Sequence, residues 1–543
     1  MYFVLFQTIA CFKMDTSCRE IPPMTLQELE ANIEDLIPEL KEAAKKPALD
    51  NPFISRLQLT FLQNVKVGFL AFLIPIRFLL IGLVWMSVWV IGKIFLIGYV
   101  PPAESEPEPP MTGWRRHGAW LVKFMARMNA RVIGFYHISV KGKMAESSEA
   151  PVVVFAPHTS FVDGFTACWV GKQTFVSRVE NAKLPLIGPG IRLIQPIFVT
   201  REAKGSRQTV VKEIKRRAAD PSWPAVAMFP EGTCTNGQAL ITFKPGAFYP
   251  GLPVQPVYMK YTNKFDYTTW TWEGPPTWKL LCIMCAQVFN KAEIHILPVY
   301  NPSEEEKEDP FLFARNVRNY MANYAKIPYT DHSFEDCRLM NEAHKHNMPY
   351  EAGLVEYYKI SPMIGMNCET MIEFFQKFAA IDCSSDGVLD EEEFAKYLNL
   401  PLTEEIKAIF RIYDIGKNGT INFREYLLGF WLISRPFNTK VAISTAFSLF
   451  DKDSKGFISY EDVCIILKGV FDDIEEEKLK LIHKDMDKAS TGKVELEDFE
   501  QFCLAKPEYA LLFHHFTKLR EQATKSQENA ASSNLIMVEP MDS

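Results

Sequence analysis

The sequence predicts an α/β domain, a mixed sheet flanked by helices, with an N-terminal membrane hairpin or helix before it and an all-α domain after it. Three observations carry this. Between about residues 112 and 340, β-rich apolar runs such as Val152–Ala156 and Ala225–Phe229 alternate with helical stretches, the pattern of a layered α/β domain. From Val67 to Gly92 the chain is apolar except for Pro75 and Arg77. From about residue 365 to 505, acidic loops separate amphipathic helices. At 543 residues the chain is too long for one core, and 48% hydrophobic residues exclude a mostly disordered polymer.

The segments follow in order. Residues 1–65 hold an apolar start, Tyr2–Phe12, without the basic flank or cleavage site of a signal peptide. A short Glu-rich amphipathic helix is expected over 25–46. Residues 66–100 form the membrane segment, whose apolar run exceeds the about 20 residues a bilayer crossing needs. Trp85, Trp89 and Tyr99 suit an interfacial end. Pro75 and Gly82 leave open a re-entrant hairpin that never crosses, and similar basic flanks leave orientation open. Residues 101–111, rich in Pro and Glu, form a stiff linker. Residues 112–340 make the α/β domain, 365–505 the acidic helical module and 506–543 a polar tail.

A net charge of −7, with no basic tail, argues against nucleic acid as a partner. The eleven cysteines are scattered. Cys282 and Cys285 form a lone C-x-x-C inside apolar Leu280–Phe289, so core thiols are expected rather than a zinc or redox site. The basic stretch Arg201–Arg217 carries an apolar stripe, Val210, Val211, Ile214 and Ala218, with Arg207, Lys212, Lys215 and Arg216 largely elsewhere. A solvated amphipathic helix accounts for this. Attraction of ligand phosphates or an anionic membrane surface is the other reading.

Asp382–Glu393 fits an EF-hand calcium loop at every position. Asp382, Ser384, Asp386 and Asp390 supply side-chain oxygens, Val388 a carbonyl and Glu393 a bidentate carboxylate, while Gly387 makes the sharp turn. Asp414–Glu425 repeats the pattern with Asp414, Asn418, Thr420, Asn422 and Glu425, but Gly416 stands where an oxygen side chain is normal. Asp451–Asp462 places Lys455 at a ligand position, and Asp487–Asp498 has Ala489 and Thr491. These two loops read as structural partners, giving four loops in two pairs.

His158 precedes Asp163 by five positions, directly after the run Val152–Ala156. Residues five apart do not share a helix face. The spacing therefore predicts His158 in a loop and Asp163 in the first turn of a helix, where its carboxylate can hold one imidazole nitrogen. Ser160-Phe-Val-Asp163 is also a capping-box pattern, so a purely structural Asp163 stays open, as does an ordinary loop histidine. The second run ends similarly, in Pro230-Glu231-Gly232-Thr233.

Four ordered motifs resemble those of the glycerolipid acyltransferase family: His158-x4-Asp163, Pro196–Arg201, Phe229–Thr233 and Gly251–Val257, across about residues 130–300. A membrane segment before them and EF-hands after them resemble the lysophosphatidylcholine acyltransferase branch, as does Glu231-Gly-Thr-Cys234-Thr235-Asn236. In the family's general form a glycine commonly precedes the aromatic strand that ends in arginine; here Gln195-Pro196 stands there. The resemblance implies an α/β acyltransferase domain using acyl-CoA as co-substrate and a lysophospholipid as acceptor, with Ca2+ at the EF-hands. It implies His158 as general base, Asp163 as its orienter, and direct transfer without a serine or cysteine nucleophile. Arg201, Glu231, Gly232 and Thr233 would grip the acceptor's phosphate and glycerol, Glu231 by positioning Arg201 or accepting from a hydroxyl. It further implies residence in the endoplasmic reticulum membrane, with Golgi and lipid droplets as other sites and the EF-hands facing the cytosol. Acetyl transfer to an alkyl lysolipid, acylation of lysophosphatidate or glycerol-3-phosphate, and a calcium-binding membrane scaffold with an inactive transferase domain are the competing readings.

Overall fold

The computed structural model describes residues 51–100, 107–171, 173–199, 206–437 and, apart from single positions and short gaps, 443–513. The expected helix over 25–46 and the tail beyond residue 513 lie outside the described residues, as does Arg201. The chain divides into two compact units, one of Pro47–Cys337 and one containing Arg338–Ser543.

In the first unit, helix α1 (Phe61–Phe69) opens on a capping box: Thr60 accepts from the Gln63 amide, and Gln63 accepts from the Thr60 amide. Helix α2 (Leu73–Phe95) follows after a break at Leu70–Phe72. The apolar run is therefore two helices. Its break falls before Pro75, which sits in the first turn of α2, where a missing N–H leaves no bond unmade. Helix α2 is long and apolar enough to cross a membrane. Its buried residues Arg77, Ile81, Val88 and Gly92 form one stripe, while Leu79, Leu83, Met86, Val90 and Ile94 are exposed. Arg77 is not a polar interruption to be hidden from lipid. Its guanidinium donates to the carbonyls of Ile133, Cys285, Gln287 and Val288 and to the Tyr136 hydroxyl. It ties α2 to the ends of α3 (Trp114–Ile133) and of the helix Thr277–Cys285.

A seven-stranded sheet forms the centre of this unit, in the order β1-β7-β6-β2-β5-β3-β4. The strands are β1 (Ile138–Lys141), β2 (Val152–Ala156), β3 (Thr174–Arg178), β4 (Ile197–Val199), β5 (Val226–Met228), β6 (Val254–Tyr261) and β7 (Ala292–Ile296). All neighbours are parallel except β6 and β7. Both faces of β2 are covered. Val153 and Phe155 share a core with Ile81, Ile133 and Met284, whereas Val152, Val154 and Ala156 share one with Ile214, Phe313 and Val317. That burial explains an unbroken apolar run instead of an alternating one. Because β2, β5 and β6 are parallel, their carboxyl ends meet at one edge, where ligands of α/β sheets bind.

Helix α4 (Asp163–Ala167) follows β2, and the basic helix Ser206–Ala218 follows β4. The latter buries Val210 and Ile214 as expected, but also Arg217, which pairs with Glu213 and donates to the Gln195 carbonyl. Gln195 has φ of 49°, a conformation glycine adopts more easily. Its amide side chain bridges Pro109 and Met111 of the linker. Cys285 is buried and Cys282 half-buried on one helix; both are free thiols.

The second unit contains two antiparallel loop pairs. Val388–Leu389 pairs with Ile421–Asn422, and Phe457–Ser459 with Lys493–Glu495. Leu389, Ile421, Ile458 and Val494 are fully buried. The polar tail does not begin at residue 506. Residues 507–513 are helical, and Tyr509–Phe513 are buried in this unit's core. Tyr413 donates to the buried Glu508, and Tyr509 to the Leu398 carbonyl, so the segment binds helices flanking both loops of the first pair.

Candidate active site

The loop after β2 brings His158 to the carboxyl edge of the sheet, and Asp163 occupies the first position of α4. His158 Nδ1 lies 2.6 Å from Asp163 Oδ2. The same oxygen accepts from the amides of Thr159 (2.9 Å) and Ser160 (3.0 Å). Asp163 thus does both things its spacing allowed. The capping box is only half made, because the Ser160 hydroxyl donates to the Thr268 carbonyl at 2.6 Å. Asp163 is fully buried, whereas the His158 side chain keeps 22% of its surface exposed. A carboxylate at Nδ1 favours the tautomer with its proton there, leaving the Nε2 lone pair for an incoming hydroxyl.

The loop after β5 fixes His158 from the other side. Glu231 Oε2 accepts from the His158 amide at 2.6 Å, the Thr235 amide donates to the His158 carbonyl at 2.8 Å, and the Phe229 ring stacks on the imidazole with centroids 4.3 Å apart. Glu231 is therefore not at the surface, where acceptor contact was expected. It is fully buried, and its other oxygen faces the Ile241 amide at 3.4 Å. Burial pushes its carboxyl up to about 8, against the lowering pull of those two amides; the nearby Asp163 charge also raises it. Gly232 takes φ of 70° beside Lys244. Thr233 is buried and accepts from Trp272 Nε1 at 3.1 Å.

The structure thus gathers His158, Asp163, Glu231, Gly232 and Thr233 at one edge. Sequence reasoning missed two neighbours. Tyr261, the last residue of β6, donates its hydroxyl to Asp163 Oδ1. Period-2 reading from the buried Val257 and Met259 would have put it on the α4 side of the sheet. Cys234 Sγ lies 3.5 Å from His158 Nε2. Burial, then the negative charges of Asp163 and Glu231, hold that thiol protonated, so it is not a ready nucleophile.

Residues 137–260 match the acyltransferase family model, and residues 372–430 and 440–504 match that of an EF-hand domain pair. Lysophosphatidylcholine acyltransferase 2 of Homo sapiens is 40% identical over 478 residues, covering 87% of this chain and 86% of that protein. The chain belongs to the lysophosphatidylcholine acyltransferase family. Two further members are similar to it. The 2B protein of Rattus norvegicus is 37% identical over 91% of this chain and 96% of its own, and the type 1 protein of that species is 36% identical over 85% and 86%.

As a lysophosphatidylcholine acyltransferase family member, the chain is an O-acyltransferase with an EF-hand region, and its apolar α2 accords with membrane association. Calcium demands oxygen donors on a tight turn. In the first loop Asp382 accepts from the amides of Ser385 and Gly387, Asp386 from that of Val388, and Glu393 from that of Ser384. Gly387 has φ of 88°. The second loop repeats this framework, with Asp414 accepting from Asn418 and Gly419, Asn418 from Thr420, and Glu425 from Gly416. The first donor set fits the ion, whereas the second lacks a side-chain oxygen at Gly416. Among the described residues no three His, Cys, Asp or Glu side chains converge as a metal cluster, since these carboxylates are engaged by loop amides and the sets include hydroxyl, amide and carbonyl oxygens. In the third loop Lys455 pairs with Asp453 at 2.8 Å, an internal cation where a ligand would bind.

Proposed function

We propose that this protein transfers an acyl group from acyl-CoA to the free glycerol hydroxyl of lysophosphatidylcholine, forming phosphatidylcholine. The observation that carries this is the His158–Asp163 pair, 2.6 Å apart and clamped at both backbone polar groups of His158, in a chain of this family. His158 Nε2 takes the hydroxyl proton as the oxygen attacks the thioester carbonyl. Collapse of the tetrahedral intermediate breaks the carbon–sulfur bond, and the CoA thiolate receives the proton from His158. Asp163 orients the ring and stabilises the imidazolium. Arg201 holds the acceptor phosphate by its two-pronged donor geometry, beside Gly232 and Thr233, while Glu231 acts through the His158 backbone. The exposed apolar face of α2 lies in the bilayer as part of a re-entrant hairpin, which keeps the EF-hands on the cytosolic side of the endoplasmic reticulum or at lipid droplets.

Isolated membranes offered labelled oleoyl-CoA and acetyl-CoA against lysophosphatidylcholine, alkyl lysolipid, lysophosphatidate and glycerol-3-phosphate test this reading. Preference for lysophosphatidylcholine with oleoyl-CoA is the expected result. Preference for an acceptor without choline overturns the headgroup assignment, and folded protein that acylates none of them points to the scaffold.

Calcium binds chiefly at Asp382, Ser384, Asp386, Val388, Asp390 and Glu393, and more weakly at Asp414, Asn418, Thr420, Asn422 and Glu425, and it modulates the enzyme. Glu393→Gln is expected to remove the tightest calcium-binding step in titration calorimetry of the full chain. An unchanged isotherm would sink the assignment.

A further inference from the structure

We infer that Tyr261 is a positioning residue of the transferase site, holding the Asp163 carboxylate aimed at His158. The inference rests on the acyl-transfer reading above and concerns a residue outside the four sequence motifs. Asp163 is completely buried, and all the solvation of its charge comes from protein donors. On Oδ2 those donors are His158 Nδ1 and the amides of Thr159 and Ser160. On Oδ1 the donor is the Tyr261 hydroxyl, which also touches the Thr166 hydroxyl at 3.3 Å. Thr166 in turn donates to the Asp163 carbonyl at 3.0 Å, locking the turn that carries the carboxylate. Tyr261 itself is half-buried at the end of β6, with its ring against Phe135 at a centroid distance of 5.7 Å. A rigid strand, rather than a loop, therefore sets the position of the hydroxyl.

The other titratable groups around the pair do not substitute for it. Glu231, whose carboxyl pKa is raised by burial, faces the His158 backbone, and Cys234 lies on the Nε2 side of the ring. Helix α3 packs against α4, but Arg127 donates to the Cys168 carbonyl and Arg131 lies over the Trp169 ring. Among the described residues, no positive charge other than a protonated His158 is hydrogen-bonded to Asp163.

Removing the hydroxyl leaves Oδ1 buried without a donor, so the neutral acid gains relative to the carboxylate. A protonated Asp163 cannot stabilise the imidazolium. The carboxylate that does form is less delocalised and holds the His158 proton more tightly. Both effects move the acidic limb of the pH profile to higher pH.

The test is Tyr261→Phe, which keeps the ring and removes one oxygen. Turnover with acyl-CoA and lysophosphatidylcholine is expected to fall about tenfold at neutral pH, the size of one charge-assisted hydrogen bond, with KM unchanged. Activity should recover toward wild type above pH 8 as the limb shifts up by about one unit. A second reading needs no turnover. The pH dependence of His158 carbethoxylation by diethyl pyrocarbonate, followed by mass spectrometry of its peptide, should shift by the same amount. A loss of activity equal at every pH, or an unshifted His158 midpoint, overturns the role of Tyr261. Failure of the acyl-transfer reading shows separately, as His158→Ala retaining wild-type turnover.

Discussion

His158→Ala is expected to lower acyl transfer to lysophosphatidylcholine by about 10²- to 10⁴-fold, the usual contribution of a positioned general base. The loss should appear in kcat, because the imidazole acts on a proton that moves only as the hydroxyl attacks. Stability should fall modestly, because Asp163 loses one donor but keeps the Thr159 and Ser160 amides and the Tyr261 hydroxyl. The ring is partly exposed and stacks on one neighbour, Phe229, while the backbone bonds to Glu231 and Thr235 do not involve the side chain. Asp163→Asn separates orientation from charge. An amide NH2 in the place of Oδ2 donates to Nδ1, which puts the proton on Nε2 and removes the base, and it also meets the Thr159 and Ser160 amides donor to donor. The rotated amide keeps those bonds, turns its NH2 to the Tyr261 hydroxyl and carries no charge to stabilise the imidazolium. Its turnover should approach that of His158→Ala, and the double variant should be little worse than either, because the two residues act as one unit. Turnover is compared in membranes holding equal amounts of protein. Independent, multiplying losses would show that Asp163 serves the fold rather than the base.

Much of this site was legible because its residues sit where secondary structure ends. Val152–Ala156 and Ala225–Phe229 read as buried strands, and the polar residues after each had to emerge at one edge if the strands were parallel neighbours, as they are. The five-residue spacing correctly separated a loop histidine from a first-turn aspartate. The EF-hand loops were legible for a different reason: twelve consecutive positions each have a defined task, so a single loop declares itself without long-range information. Contacts between distant segments were not legible. Tyr261 reaches Asp163 across 98 residues, and no local pattern marks that pairing. Arg77 looked like a flaw in an apolar run because its carbonyl partners come from Ile133 and from Cys285–Val288. Glu231 looked like a ligand residue because sequence cannot show which way a carboxylate turns.

The inward turn of Glu231 gives the second large effect. Glu231→Ala leaves the part-buried His158 amide, and the more weakly bonded but buried Ile241 amide, without an acceptor, at about 1–3 kcal/mol for a fully buried amide and less for His158. The His158 loop should loosen, turnover should fall and the protein should melt earlier. Glu231→Gln keeps a carbonyl oxygen for His158 and should retain most stability, while its NH2 group opposes the Ile241 amide. The pair of variants also reads the titration of the acid. In the folded protein Glu231 holds its proton up to about pH 8, whereas an ordinary glutamate releases it near 4.5. Its stabilising contribution is therefore complete below about pH 4.5 and is lost as pH rises through 8. Glutamine has no proton to lose. Relative to wild type, Glu231→Gln should gain thermal stability steadily between those two values and level off above the upper one. A difference that stays flat with pH would place Glu231 among carboxylates already ionised in the folded state. The His158 amide would then donate to a full negative charge at 2.6 Å, and loss of that charge in Glu231→Gln should depress turnover as strongly as the alanine does.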